Sequence, residues 1–124
     1  MASNHDLIAE LRGPTRGLRR AAPEAWKGFD ALHDAAMADG VVSARVKELV
    51  ALAISVVEQC DGCIAYHAKA AARRGATTDE VAEVLSVAMM MAGGPATTYG
   101  PRAFAAFQEF ADATATREDA PDAP

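Results

Sequence analysis

At 124 residues the chain has the length of one domain, and its formal net charge of −5 argues against a nucleic-acid-binding surface. Hydrophobic residues make up 51% of it and aromatic residues only 6%. Alanine, the best helix former and a small one, supplies much of that apolar content, which points to closely packed helices with little core volume apiece.

Residues 1–22 form an N-terminal segment, partly helical or flexible: HDLIAEL suits a short helix, which RGPTRG then breaks. Arg12, Arg16, Arg19 and Arg20 cluster here. No aromatic residue is interleaved with them, so a solvated face or a subunit contact fits better than a nucleic-acid arm. Pro23 suits a first helical position and opens a helix to about Ala38. Its apolar stripe is Trp26, Phe29, Leu32 or His33, Ala36 and Met37, and Gly40 ends it.

Ser43 is a good N-cap for a helix over roughly 44–58. Val46, Leu49, Val50, Ala53, Ile54 and Val57 make one face, and Ala51, Leu52 and Val56 fill much of the rest. A helix apolar nearly all round is buried, either centrally or under another subunit. Asp61-Gly62 is a turn pair, and the next helix runs from about there to Arg74, stopped by Gly75. Thr77 and Glu80 form a capping box for a helix to about Ala92, with Val81, Val84, Leu85, Ala88 and Met91 inward; Gly93-Gly94-Pro95 stops it. A last helix covers about 97–112, anchored by Phe104, Phe107 and Phe110, and either starts or kinks at Pro101. The polar, proline-containing tail 113–124 reads as disordered.

No strand pattern and no internal repeat is present. The fold class is all-α: a single-domain antiparallel bundle of about five to six helices, its helical domain spanning 23–112. The N-terminus lacks a basic region followed by an apolar run, and LVALAISVV at 49–57 is too short to span a bilayer. A soluble, cytoplasmic protein with no membrane or nucleic-acid partner is expected.

The chemistry gathers in EQCDGCIAYH, residues 58–67, which holds both cysteines. In a reducing compartment a C-x-x-C pair points to redox chemistry or metal rather than to a structural staple. Cys60 and Cys63 sit at a helix start, where the dipole and free N–H groups favour a thiolate. His67, four residues after Cys63, shares its helix face and is placed to take its proton. Cys63 is thus the candidate nucleophile, and Cys60 is placed to resolve a sulfenic acid into a disulfide. Two plainer readings stand beside this one. The cysteines suit a helical core, and Cys60, Cys63 and His67 would supply three zinc ligands. For a fourth ligand, His33 and Glu48 lie at no ligand-like spacing. Glu48, flanked by Val46 and Leu49-Val50, needs a partner. That partner is Lys47, Arg45 or the helix's first turn on one reading, and His67 on another. For antiparallel helices Glu48 lies roughly 9 Å along the axis from His67, a gap that a tilt, a water or a second subunit must close.

Taken together, Glu48-x11-Cys60-x2-Cys63-x3-His67, with PEAWKGFDALHDAAMADGVVSARVKELVALAISV before the dithiol and HAKAAARRGATTDEVAEVLSVAMMMAGGP after it, resembles the active-site pattern of the alkylhydroperoxidase-D-like, carboxymuconolactone-decarboxylase superfamily over residues 23–110. The resemblance implies an all-helical fold assembling into homo-oligomers, often trimers or hexamers, and thiol-dependent peroxide reduction in members with the dithiol. It makes Cys63 the peroxidatic cysteine, Cys60 its partner, and Glu48 and His67 a proton relay, with no cofactor and no metal. Its implied partners are a small-molecule peroxide and a dithiol reductant, thioredoxin-like or lipoyl-like. The best-characterised peroxidase members carry a second histidine between the cysteines, where Asp61 and Gly62 stand here. The alternatives are a decarboxylase using Glu48 and His67 without the thiols, and a non-enzymatic helical oligomer that senses oxidants.

Overall fold

The computed structural model describes residues 2–118, all of whose regular structure is helical. The helices are α1 (Asn4–Ala21), α2 (Pro23–Met37), α3 (Ala44–Val57), α4 (Asp61–Arg73), α5 (Thr78–Ala92) and α6 (Gly94–Glu118). The expected all-α class is what forms.

The starts of α3 and α5 follow from their caps. Ser43 Oγ accepts the Val46 N–H, and Thr77 and Glu80 close a capping box. Asp39 accepts the Ala44 N–H at 2.7 Å, and Lys47 Nζ donates to the Ala38 carbonyl at 2.7 Å, so the loop before α3 holds that helix in place. Arg45 pairs with Glu80, tying the start of α3 to that of α5.

Helices α3 to α6 enclose the core, with α4 most extensively packed on α6 and α3. Ala65, Ala68 and Ala71 of α4 and Ala103 and Ala106 of α6 are fully buried. Their small side chains let backbones approach closely, as the alanine-rich composition implied. Leu52 and Val56 of α3, Val81 and Leu85 of α5, and Phe107 and Phe110 of α6 supply the volume.

Four expectations are overturned. RGPTRG does not break α1, which runs through Pro14 to Ala21. Contacts with α4 and α2 hold this helix: Leu7 and Ile8 pack on the core, Arg19 pairs with Asp30 at 2.8 Å and lies over the Trp26 ring. Helix α6 starts at Gly94 rather than 97 and takes Pro101 in its interior, next to Gly100, which is buried beside Met89 of α5. It also runs to Glu118, past the boundary set at 112; the rest of the expected disordered tail, residues 119–124, lies outside the described residues. The inward faces of α2 and α5 differ as well. Met91 is exposed on α5, and α2 buries none of its stripe. On α3 the buried residues are Ala44, Glu48, Leu49, Leu52, Ser55 and Val56, while Val46, Val50, Ile54 and Val57 face outward. An all-round apolar helix carries little periodic signal, and a face containing Glu48 and Ser55 is not the one hydrophobicity selects.

Helix α1 is fastened at its start by Glu109 of α6. The carboxylate accepts the Asn4 and His5 backbone N–H groups at 3.2 and 3.1 Å and the Asn4 side-chain amide at 3.0 Å, satisfying donors that a helix start leaves without partners. Partial burial pushes the Glu109 carboxyl up, but these hydrogen bonds outweigh it and hold its pKa below the ordinary value. A depressed carboxylate contributes stability above its unfolded-state pKa, and that stability is lost as pH falls through the folded value. Protection of the α1 amides, measured relative to their intrinsic exchange rates, should therefore fall below the normal carboxylate range. Glu109→Gln should cost roughly 1–2 kcal/mol at neutral pH and flatten that acid dependence; an unchanged pH profile in the variant would show that Glu109 does not fasten α1.

Candidate active site

The turn between α3 and α4 sets the position of both cysteines. The Cys60 N–H donates to the Ser55 carbonyl at 3.1 Å and the Gln59 N–H to the Val56 carbonyl at 3.1 Å, the paired bonds of a Schellman ending. Gln59 takes the left-handed conformation, at φ 55°, that such an ending demands and that glycine usually supplies. One residue later Cys60 is already the N-cap of α4, its Sγ accepting the Cys63 N–H at 3.2 Å. With no linker to spare, one residue closes α3 through its backbone N–H and opens α4 through its sulfur.

Cys60 and Cys63 are joined in a disulfide, their Cα atoms 5.2 Å apart, within the span such bonds require. Cys63 is exposed and Cys60 partly buried. Gly62, between them, lies under Leu11 of α1, whose Cδ1 would stand 3.4 Å from an added Cβ. Asp61 pairs with Arg102 of α6 at 3.0 Å, and that guanidinium also covers the Tyr99 ring. Arg102 was not among the sequence candidates: it stands 41 residues from Asp61 in the chain, and no local spacing links them.

Behind the dithiol, His67 Nδ1 meets Glu48 Oε2 at 2.8 Å. The Glu48 side chain is only 9% exposed and that of His67 25%. A carboxylate so buried requires a donor, and the imidazole is the one it has. The expected gap of roughly 9 Å counted helix levels alone; two side chains that each reach several ångströms from the backbone close it, within a single chain and without a water. Lys47, one of the alternative partners, bonds the Ala38 carbonyl instead, and Arg45 pairs with Glu80. A carboxylate at Nδ1 favours the tautomer that carries its proton there, which turns Nε2 into the acceptor nitrogen.

All four sequence candidates thus fall in one region. Cys60 and Cys63 are bonded, Glu48 and His67 are bonded, and Cys63 and His67 lie one turn apart on α4. His33, weighed as a fourth metal ligand, is on the exposed face of α2 beside Asp34. Among the described residues no group of three or more histidine, cysteine, aspartate or glutamate side chains is arranged to hold a metal ion.

Residues 23–109 match the model of the carboxymuconolactone decarboxylase family. The chain belongs to that family. An uncharacterized protein of Cupriavidus necator is 38% identical over 100 residues, 81% of this chain and 88% of the relative. A Paracoccus denitrificans protein, named as the fourth uncharacterized protein of a cox locus, is 38% identical over 90 residues, 73% of this chain and 81% of its own. The apo crystal structure of a carboxymuconolactone decarboxylase family protein from Legionella pneumophila superposes with a TM-score of 0.85 at 35% identity, covering 87% of this chain and 96% of that one. A family member from Thermotoga maritima, whose description raises involvement in an antioxidative response, gives 0.78 at 26% identity over 91% and 96% of the two chains. The resemblance read from the dithiol and its flanks therefore holds across the helical domain.

Proposed function

We propose that this carboxymuconolactone decarboxylase family chain is a thiol-dependent oxidoreductase that reduces a small peroxide through Cys63 and Cys60, with His67 and Glu48 moving the proton. Support comes chiefly from the Glu48–His67 hydrogen bond at 2.8 Å, which supplies an oriented base one helical turn from Cys63. In the reduced protein the Cys63 thiolate attacks the terminal peroxide oxygen. The O–O bond breaks, the leaving alkoxide takes the proton held by His67, and Cys63 becomes a sulfenic acid. Cys60 then attacks that sulfur, water leaves, and the disulfide forms.

A dithiol donor completes the cycle. Its thiolate attacks Cys63, the exposed sulfur, and Cys60 departs as a thiolate beside the Cys63 N–H, at the positive end of α4. The second donor thiol attacks the mixed disulfide and releases reduced Cys63 with the donor oxidised. Thioredoxin-like and lipoyl-like dithiols both fit this step, and the cycle suits the cytoplasm, where such donors operate. No described helix is long and apolar enough to cross a membrane.

The same reading includes assembly into a homo-oligomer, a trimer or a hexamer. Phe29 and Leu32 of α2, Val50 and Ile54 of α3 and Met90 and Met91 of α5 are all at least half exposed, more apolar surface than a small monomer ordinarily leaves in water. Light scattering should give a mass several times 12.9 kDa, whereas a monomer at micromolar concentration would contradict the assembly.

Cys63→Ser should abolish peroxide consumption. Cys60→Ser should allow one stoichiometric turnover and leave a sulfenic acid on Cys63 that dimedone traps. His67→Ala and Glu48→Gln should each slow turnover by about 10²-fold or more, the usual scale of general acid–base catalysis. Dimedone on Cys60 but not Cys63 in the two single-serine variants would reverse the assignment. Decarboxylation of a lactone carboxylate that survives loss of both cysteines would instead favour decarboxylase chemistry on Glu48 and His67, and a disulfide that forms without turning over would favour a sensor.

A further inference from the structure

A second polar cleft lies away from the dithiol, between α1, the C-terminal half of α4 and the end of α6. Its volume is about 150 Å³, and His5, Arg12, Lys69, Arg73, Phe110 and Thr114 line it. Two arginines, a lysine and a histidine line this small space in a chain whose net charge is −5, and the Glu109 carboxylate stands 3.9 Å from His5 Nε2 and is engaged at the start of α1. Arg73 has a local reason for its place, since cations favour the last turn of a helix. Arg12 has none: it lies in the middle of α1. Among the described residues, neither arginine forms an ion pair with an acidic side chain. Lys69 is engaged within the fold, and the Thr114 hydroxyl donates to the Phe110 carbonyl, which leaves the two arginines as the chief open donors.

We propose that this cleft binds a small multivalent oxyanion of the phosphate type, either free or as the phosphate group of a small metabolite. Cations gathered around one cavity repel each other; an oxyanion between them replaces that repulsion with charge-assisted hydrogen bonds. Guanidinium forks match the oxygen spacing of a phosphate, whereas a chloride ion offers one point of contact. The size of the cleft suits the anion head rather than a whole nucleotide. His5, Arg12, Phe110 and Thr114 all lie outside residues 23–109, the segment that matches the family model. An anion there would clamp α1 onto α4 and α6, away from the sulfur chemistry.

The full chain should be titrated with inorganic phosphate at constant ionic strength, chloride making up the balance, while calorimetry follows binding and thermal unfolding follows stability. The expected result is saturable binding with a rise in melting temperature. The Arg12→Gln/Arg73→Gln double variant should bind about tenfold more weakly or worse, each single variant less severely affected, and Arg20→Gln, outside the cleft, like the parent; each tenfold corresponds to about 1.4 kcal/mol. Glycerol 3-phosphate binding through the same arginines would identify a phosphomonoester ligand, and binding of inorganic phosphate alone would identify the free ion. No saturable binding, or binding equally strong in the double variant, would overturn the proposal. Neither readout uses peroxide turnover, so the result is independent of the dithiol's role.

Discussion

A buried carboxylate on an otherwise apolar helix face is a constraint that the surrounding structure has to satisfy. Glu48 lies among Leu49, Leu52 and Val56, and His67 is its partner. Breaking such a pair by removing one partner is costly, because the other group is left buried and uncompensated. The contact therefore fixes how α4 lies against α3, and with it the placement of the two sulfurs at the start of α4. Alanines at 65, 68 and 71, all without exposed surface, let α4 settle deeply enough among its neighbours for the two polar groups to meet. The close-packed, low-volume core and the polar pair are two aspects of one arrangement.

The α3–α4 junction serves the same end. Because Gln59 adopts the left-handed conformation without being a glycine, the turn costs backbone energy yet delivers Cys60 directly from the end of one helix to the cap of the next. The disulfide then spans a single helical turn, with one sulfur accessible and the other held against the helix start. That asymmetry is what the different roles proposed for the two cysteines rest on, and it keeps them within bonding reach.

Helix ends and connections were legible in the sequence where cap chemistry is local. Ser43, Thr77 with Glu80, and the glycines at 75 and 93, which adopt positive φ, mark the boundaries that form. Pro14 misled because proline's helix-breaking tendency is a local preference, and contacts with α4 and α2 hold α1 through it; at Pro101, where a start and a kink were both open, the helix runs through. The inward face of α3 was not legible: a helix apolar nearly all round offers no face for hydrophobicity to choose, and the bundle turns Glu48 and Ser55 inward while Val46, Val50 and Ile54 face outward. The four candidate residues stood out through their spacing, and the fold brings them into one region. The direct Glu48–His67 bond was not legible, since it depends on how two helices pack, and Arg102 reaches Asp61 only through the tertiary fold.

The central claim is that His67, oriented by Glu48, sets the reactivity of Cys63. Its most direct test is the rate at which the fully reduced protein is alkylated at Cys63, measured across pH in the Cys60→Ser background with and without His67→Ala. If the claim holds, loss of the imidazole slows alkylation at neutral pH by about tenfold and moves the rise in rate to higher pH. Superimposable profiles with and without His67 would contradict it, leaving the helix start alone to activate the thiol.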